Sequence, residues 1–169
     1  MLRASFALLF ATALTAPAAA QDTPASARCR NEAPPFPVTD ANRLSDDELR
    51  ALFNGKTLAY VRESTRVQGA FVRLARELRA DGSMVSSCQL GRNRAGPWKN
   101  CQSYGSDTSR VAGHRDVGVW RIENRALCIE HTAFKLGACF AIHRQGGVLA
   151  AKNMRGPRHY CGEGPVTVE

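Results

Sequence analysis

Lysine is scarce in this chain. Only four of its 23 basic residues are lysine, and the other 19 are arginine. Aromatic residues make up 7% of the sequence, so the interleaved rings on which single-stranded nucleic acid stacks are missing. No run of about 20 apolar residues occurs, which excludes a membrane-spanning helix. The signatures G-x-S-x-G, H-E-x-x-H and the P-loop are absent, so no nucleophile elbow, zincin helix or phosphate cradle is encoded locally. Neither C-x2-C nor H-x3-H occurs, which removes the usual zinc-ligand spacings. No internal repeat or second domain boundary is visible. No motif for a cofactor of any kind is present.

The chain does carry export signals. "MLRASFALLFATALTAPAAAQD" has a positive start at Arg3, an apolar run over residues 6–14 and a small-residue motif, Ala18-Ala19-Ala20, before Gln21. That order predicts a secretory signal peptide over residues 1–20, with the mature protein periplasmic or secreted. No cysteine stands at the cleavage point to take a lipid anchor. The mature chain would hold 149 residues, with 22 basic against 15 acidic residues and a net charge of +7. Such a length suits one domain with a real core. Six cysteines remain, an even number in an oxidising compartment, so disulfides are the default expectation.

Residues 21–42, rich in proline and alanine, read as an extended leader. "RLSDDELRALFNGKTL" is the clearest local signal. Ser45 is an N-cap with Glu48 three residues on, a capping box, and Leu44 with Leu49 fits a hydrophobic staple. Asp46 and Asp47 sit at the positive end of the helix dipole, which explains the acidic cluster better than acid–base or calcium chemistry does. Leu49, Leu52 and Phe53 share a face, and Asn54-Gly55 ends the helix. "KTLAYV" then reads as a strand. In "GAFVRLARELRADGSMVSS", Phe71, Leu74, Ala75 and Leu78 have helical spacing. Val72, Leu74, Leu78 and Ala80 alternate nearly as well. The Asp81-Gly82 turn signal tips the reading to two strands.

The second half predicts an antiparallel meander. A tight hairpin at Asn124-Arg125 pairs Ile122 with Leu127 and Trp120 with Ile129. A turn over residues 132–135 brings back "ACFAIHR", so that Phe140 and Ile142 join the same apolar face. A third turn, Gln145-Gly146-Gly147-Val148, leads into "VLAAKN". In this register Cys128 lies opposite Cys139, on the face away from the apolar set, close enough for a disulfide. Cys128 and His131 are an odd number apart and point to opposite faces. Cys139 and His143 share a face but lie far apart along it. Both arguments favour a disulfide over a metal site. Cys88 and Cys101 bracket QLGRNRAGPWKN, and a bond there would stabilise the fold by about 3 kcal/mol in the chain-entropy model. Cys29 with Cys161 follows by elimination.

The 88–101 loop is the candidate binding element, through Arg92, Arg94, Trp98 and Lys99. Arginine and tryptophan are typical binding hot spots. The competing reading tucks Trp98 into the core and leaves the charges to solvate the loop. The histidines His114, His131, His143 and His159 form no recognisable catalytic pattern. These features favour a non-enzymatic binding or envelope-interaction protein. It would meet an anionic glycan, lipid headgroup or acidic protein through a basic surface. Inhibition of an extracellular hydrolase, of protease type, is the alternative, and a small secreted hydrolase the second alternative. Export and the shortage of aromatics argue against nucleic acid as a partner.

The capped "LSDDELRALFNGKT" helix, the "DGS" turn and "GVWRIENRALCIEH…ACFAIHRQGG" resemble a group of small exported bacterial proteins of unknown function, over roughly residues 43–150. Their pattern is a short helix ending in G-K/N-T, then G-x-W, a strand with L-C and a second cysteine strand before a glycine turn. There is a looser likeness to lipocalin-like barrels of the bacterial protease-inhibitor type. The resemblance implies a small β-barrel or sandwich and carries no activity. The expected fold is α+β and mainly β. It comprises a short N-terminal helix packed on an antiparallel meander or small barrel-like sheet, stapled by disulfides, in a single domain over residues 43–169.

Overall fold

Eight antiparallel strands close into a barrel in the computed structural model, which describes residues 30–65, 67–101, 115–132, 135–156 and 162–169. Helix α1 (Asp46–Phe53) precedes β1 (Lys56–Glu63), β2 (Phe71–Leu78) and β3 (Ser83–Gly91). The two-residue β4 (Lys99–Asn100) follows, then β5 (Arg115–Glu123), β6 (Ala126–His131), β7 (Leu136–Gln145), β8 (Val148–Arg155) and β9 (Gly164–Val168). Each barrel strand pairs with the next in the chain, β4 hangs on β3, and β9 closes the circle between β8 and β1. Closure removes the free edges of an open meander. It depends on β9, whose five residues offer little pattern to a reader of the sequence.

The local signals explain the elements. Ser45 Oγ accepts from the Glu48 backbone N–H, while Glu48 Oε2 accepts from the Ser45 N–H at 2.8 Å. That is the expected capping box. These bonds to Ser45 hold the Glu48 carboxyl below the usual carboxylate range. Gly55 takes φ +71° and its N–H bonds the Leu78 carbonyl, so the chain leaves the helix directly into the barrel wall. The 71–91 segment forms two strands, as the Asp81-Gly82 signal predicts. Asp81 Oδ1 accepts the Ser83 N–H, and β2 pairs along its whole length with both β1 and β3. Helical spacing there loses to pairing on two sides. Asn124 and Arg125 both have positive φ, which is the two-residue turn that matches strand twist. The meander register is the expected one, with Trp120 opposite Ile129, Ile122 opposite Leu127, and Cys128 opposite Cys139.

The barrel has two unlike ends. The tight turns at 79–82, 124–125 and 146–147 share one end with α1. Leu49 and Phe53 of the helix are fully buried there against Leu58, Leu78, Met84, Leu127 and Ile142. The Arg125 N–H donates to Asp46 Oδ1 at 2.7 Å, and the Arg125 side chain reaches the carbonyls of Asp40 and Arg43. The helix is thus tied to a hairpin tip. The motif Gly118-Val119-Trp120 has a packing reason. A Cβ on Gly118 would strike the Glu130 carbonyl and lie 2.9 Å from the Met84 methyl. Trp120 Nε1 donates to the Arg79 carbonyl at 2.8 Å. The C-terminal ends of β1, β3 and β8 lie at the opposite end, the loop end.

Among the described residues two disulfides are formed, Cys88–Cys101 and Cys128–Cys139, with Cα separations of 5.6 and 4.0 Å. Both are pairings that strand register and loop closure predict. Cys128 and Cys139 form a small outer cluster with Ala126. Cys88 and Cys101 join Val72, Leu74 and Leu90 under the loop end. Cys29 and Cys161, with the predicted third bond, lie outside the described residues, as do the predicted signal peptide, His114 and His159. No helix among the described residues is long and apolar enough to cross a membrane.

Candidate functional site

The loop between β3 and β4 is held from below and from within. The Cys88–Cys101 bond closes its base. The Trp98 ring lies flat on two glycines, since a Cβ on Gly91 or Gly96 would come within about 3.0 Å of it. Trp98 is half-buried and stands outside the core clusters. It braces the loop rather than filling the core. The tip is a turn, with the Gly96 N–H on the Asn93 carbonyl and the Ala95 N–H on Asn93 Oδ1.

The four predicted binding residues separate into different roles. Arg92 and Lys99 are exposed and make no ion pair among the described residues. Arg94 is engaged with a partner that no local pattern reveals. Its guanidinium grips the Glu32 carboxylate, with a second contact at 3.4 Å, and lies 5.4 Å from the Phe71 ring centroid. Glu32 belongs to the leader, 62 positions away. Residues 30–32 of the leader run across the loop end. The Arg30 N–H bonds the Glu63 carbonyl, the Glu32 N–H bonds the Glu163 carbonyl, and Asn31 Oδ1 accepts from the Gly162 and Glu163 N–H groups.

Beneath it lies a feature that hydrophobic patterning passes over. Arg62 and Arg76 point into the barrel and are buried, with 1% and 5% exposure. The Tyr60 ring sits between them, 5.1 Å from the Arg62 guanidinium carbon and 4.9 Å from that of Arg76. Arg76 Nη2 donates to the Tyr60 hydroxyl at 2.7 Å. Arg62 Nε donates to the Glu163 carbonyl and Nη1 to the Val61 carbonyl, both at 2.9 Å. Burial pulls the Arg62 pKa below its ordinary value, and the nearby Glu32 charge opposes that shift. The sequence signal was there. Residues 58, 60 and 62 share one face of β1, residues 72, 74, 76 and 78 share one face of β2, and arginine interrupts both apolar sets.

The helix end is electrically different. Arg50 pairs with Asp46 and Asp47, Arg79 with Glu77, Arg121 with Glu123 and Arg144 with Glu48. The two described histidines do not meet. His131 ends β6 at the loop end, whereas His143 is buried at the helix end, its Nδ1 3.0 Å from Asn42 Oδ1. Burial lowers the His143 pKa; the Thr39 backbone and Asp40 oppose this, while Arg43 and Lys152 add to it. The unfolded chain therefore binds a proton near pH 6.5 that the folded protein refuses. Stability is expected to be full above about pH 6.5 and to fall as the pH drops towards the lowered value. His143→Gln should flatten that slope in urea titrations between pH 7.5 and 5. An unchanged slope would show that His143 is not its source.

An open groove of about 410 Å³ lies beside the leader, lined by Arg30, Glu63, Gln68 and Phe71 among others. Among the described residues no three of His, Cys, Asp and Glu come together as metal ligands. Compared with family models, curated proteins and solved structures, the chain matches none.

Proposed function

We propose that this is an exported, non-enzymatic binding protein that meets an anionic partner at the loop end of its barrel. The observation that carries this reading is the contrast between the ends. Carboxylates pair with Arg50, Arg79, Arg121 and Arg144 around α1, while Arg92 and Lys99 project from a braced, disulfide-closed loop without a counter-charge among the described residues. A loop already held in shape loses little entropy on binding. Unpaired surface cations steer and hold an anionic chain or surface.

The test is titration with a sulfated polysaccharide at low and at physiological salt. Affinity should fall as salt rises. Arg92→Ser with Lys99→Ser should weaken low-salt binding by about tenfold or more, at roughly 1 kcal/mol for each cation near an anionic surface. Binding that ignores salt, or ignores this double substitution, would sink the reading.

The same loop favours one second reading. A rigid exposed turn over residues 93–96, in a chain whose sequence has a loose likeness to protease-inhibitor barrels, has the form of an element inserted into a hydrolase cleft. A panel of secreted proteases assayed with micromolar protein separates the two. Inhibition that disappears on opening the Cys88–Cys101 loop would favour the inhibitor.

A further inference from the structure

Charge is buried at the loop end without being matched. The Arg62 side chain is 1% exposed, and its Nη2 has no hydrogen-bond partner among the described residues. Among the described residues the carboxylate paired with it, on Glu32, stands 4.0 Å from Nη1 and is already held by Arg94. A single carboxylate therefore serves two guanidiniums. A buried ionised donor left without a partner carries its full desolvation penalty. The fold keeps this one while holding it firmly, through two carbonyls and the face of Tyr60. A rigid fork with an unused N–H is what recognition of a planar or tetrahedral oxyanion requires.

We propose that Arg62 and Arg94 form a binding site for a small oxyanion, the carboxylate or phosphate of a ligand, and that the Glu32 carboxylate is its resident stand-in. This rests on the reading of the loop end as an anion-binding surface, and it names the residues and ligand class of a deeper site there. Glu32 is suited to yield. Its side chain is 26% exposed, and its backbone stays pinned to Glu163 when the side chain swings away. Arg94 is half-exposed and offers the approach. Size follows from the core. Below Tyr60 the barrel is filled by Leu78, Met84, Leu127, Phe140 and Ile142. An acyl chain finds no room there, so a compact ligand fits and a fatty acid does not.

The test uses the whole mature protein and two probes, inorganic phosphate and succinate, titrated separately by calorimetry. Glu32→Gln removes the competing negative charge and should tighten binding of at least one probe tenfold or more. The probe that gains distinguishes phosphate from carboxylate ligands. Adding Arg94→Gln should remove that gain. Glu63→Gln, an exposed carboxylate at the same end, is the control for net charge and should give no comparable gain. A cooperatively melting Glu32→Gln protein that binds neither probe more tightly than the parent overturns the proposal, as does an equal gain in Glu63→Gln. If Glu32→Gln does not fold, the parent protein decides. Phosphate or succinate should raise its melting temperature above chloride of equal ionic strength, and Arg94→Gln should abolish the rise. No rise overturns the site. Polysaccharide binding measured alongside separates the two readings, because its survival beside a silent phosphate and succinate response defeats this site and leaves the loop surface standing.

Discussion

Phe53→Ala is expected to destabilise the protein by about 3–5 kcal/mol, the range for deleting a buried phenyl ring. Phe53 is the last residue of α1 and is fully buried. Its ring is part of the plug that the helix places in one end of the barrel, with Leu49 and Leu44. The walls around that plug, including Leu58, Leu78 and Leu127, are strands locked in a closed hydrogen-bonded ring. Such walls cannot collapse into a cavity, so the loss should lie towards the upper part of the range. Leu52→Ala, at a partly buried position, should cost clearly less, and Val119→Ala, 48% exposed on the outer surface, should be nearly silent. Urea unfolding of the three variants ranks them. A Phe53→Ala loss no larger than that of Leu52→Ala would mean that the helix does not seal the barrel.

The plug was legible in the sequence because every cue that makes it is local. The capping box, the staple residues and the Asn54-Gly55 stop lie within a dozen residues; the box and the stop act as they read, and Leu44 and Leu49 are buried in one cluster. The meander from β5 to β8 was legible for a similar reason. The Asn124-Arg125 turn sets a register that alternation then extends, and Cys128 falls opposite Cys139 without further assumption. Closure was not legible in detail. β9 contributes only Val166 and Val168 to the interior, and its place between β8 and β1 depends on chain ends more than a hundred residues apart.

The candidate site divides in the same way. Arg92, Arg94, Trp98 and Lys99 stand out because they crowd into one cysteine-bracketed loop. That Trp98 braces the loop and Arg94 holds the leader depends on Gly91, Gly96 and Glu32. No periodicity connects Glu32 to Arg94. Arg62 and Arg76 were visible only as interruptions of an apolar phase. A charge in an inward position reads as noise until a register shows that both strands carry one, on either side of the same tyrosine.

The two disulfides should separate stability from binding. Each closes a loop of similar length, with sequence separations of 13 and 11. Loop-closure entropy therefore assigns each about 3 kcal/mol. Replacing either pair by alanine should lower the urea midpoint to a similar extent, a substantial part of the roughly 5–15 kcal/mol that holds a domain folded. Their effects on the partner should differ. Cys128–Cys139 joins two strands on the outer face that are already paired along their length, so its loss leaves the loop end as it was. Cys88–Cys101 ties the end of the loop back to β3, where only Lys99 and Asn100 otherwise pair. Opening it frees the segment that carries Arg92, Trp98 and Lys99, and binding must then meet the entropy of ordering it. Polysaccharide affinity should fall several-fold in Cys88→Ala/Cys101→Ala and stay at the parent value in Cys128→Ala/Cys139→Ala. Both are measured where each variant remains folded. Parent-level affinity in both would place the binding surface away from the loop, and equal loss in both would make stability rather than loop geometry the controlling variable.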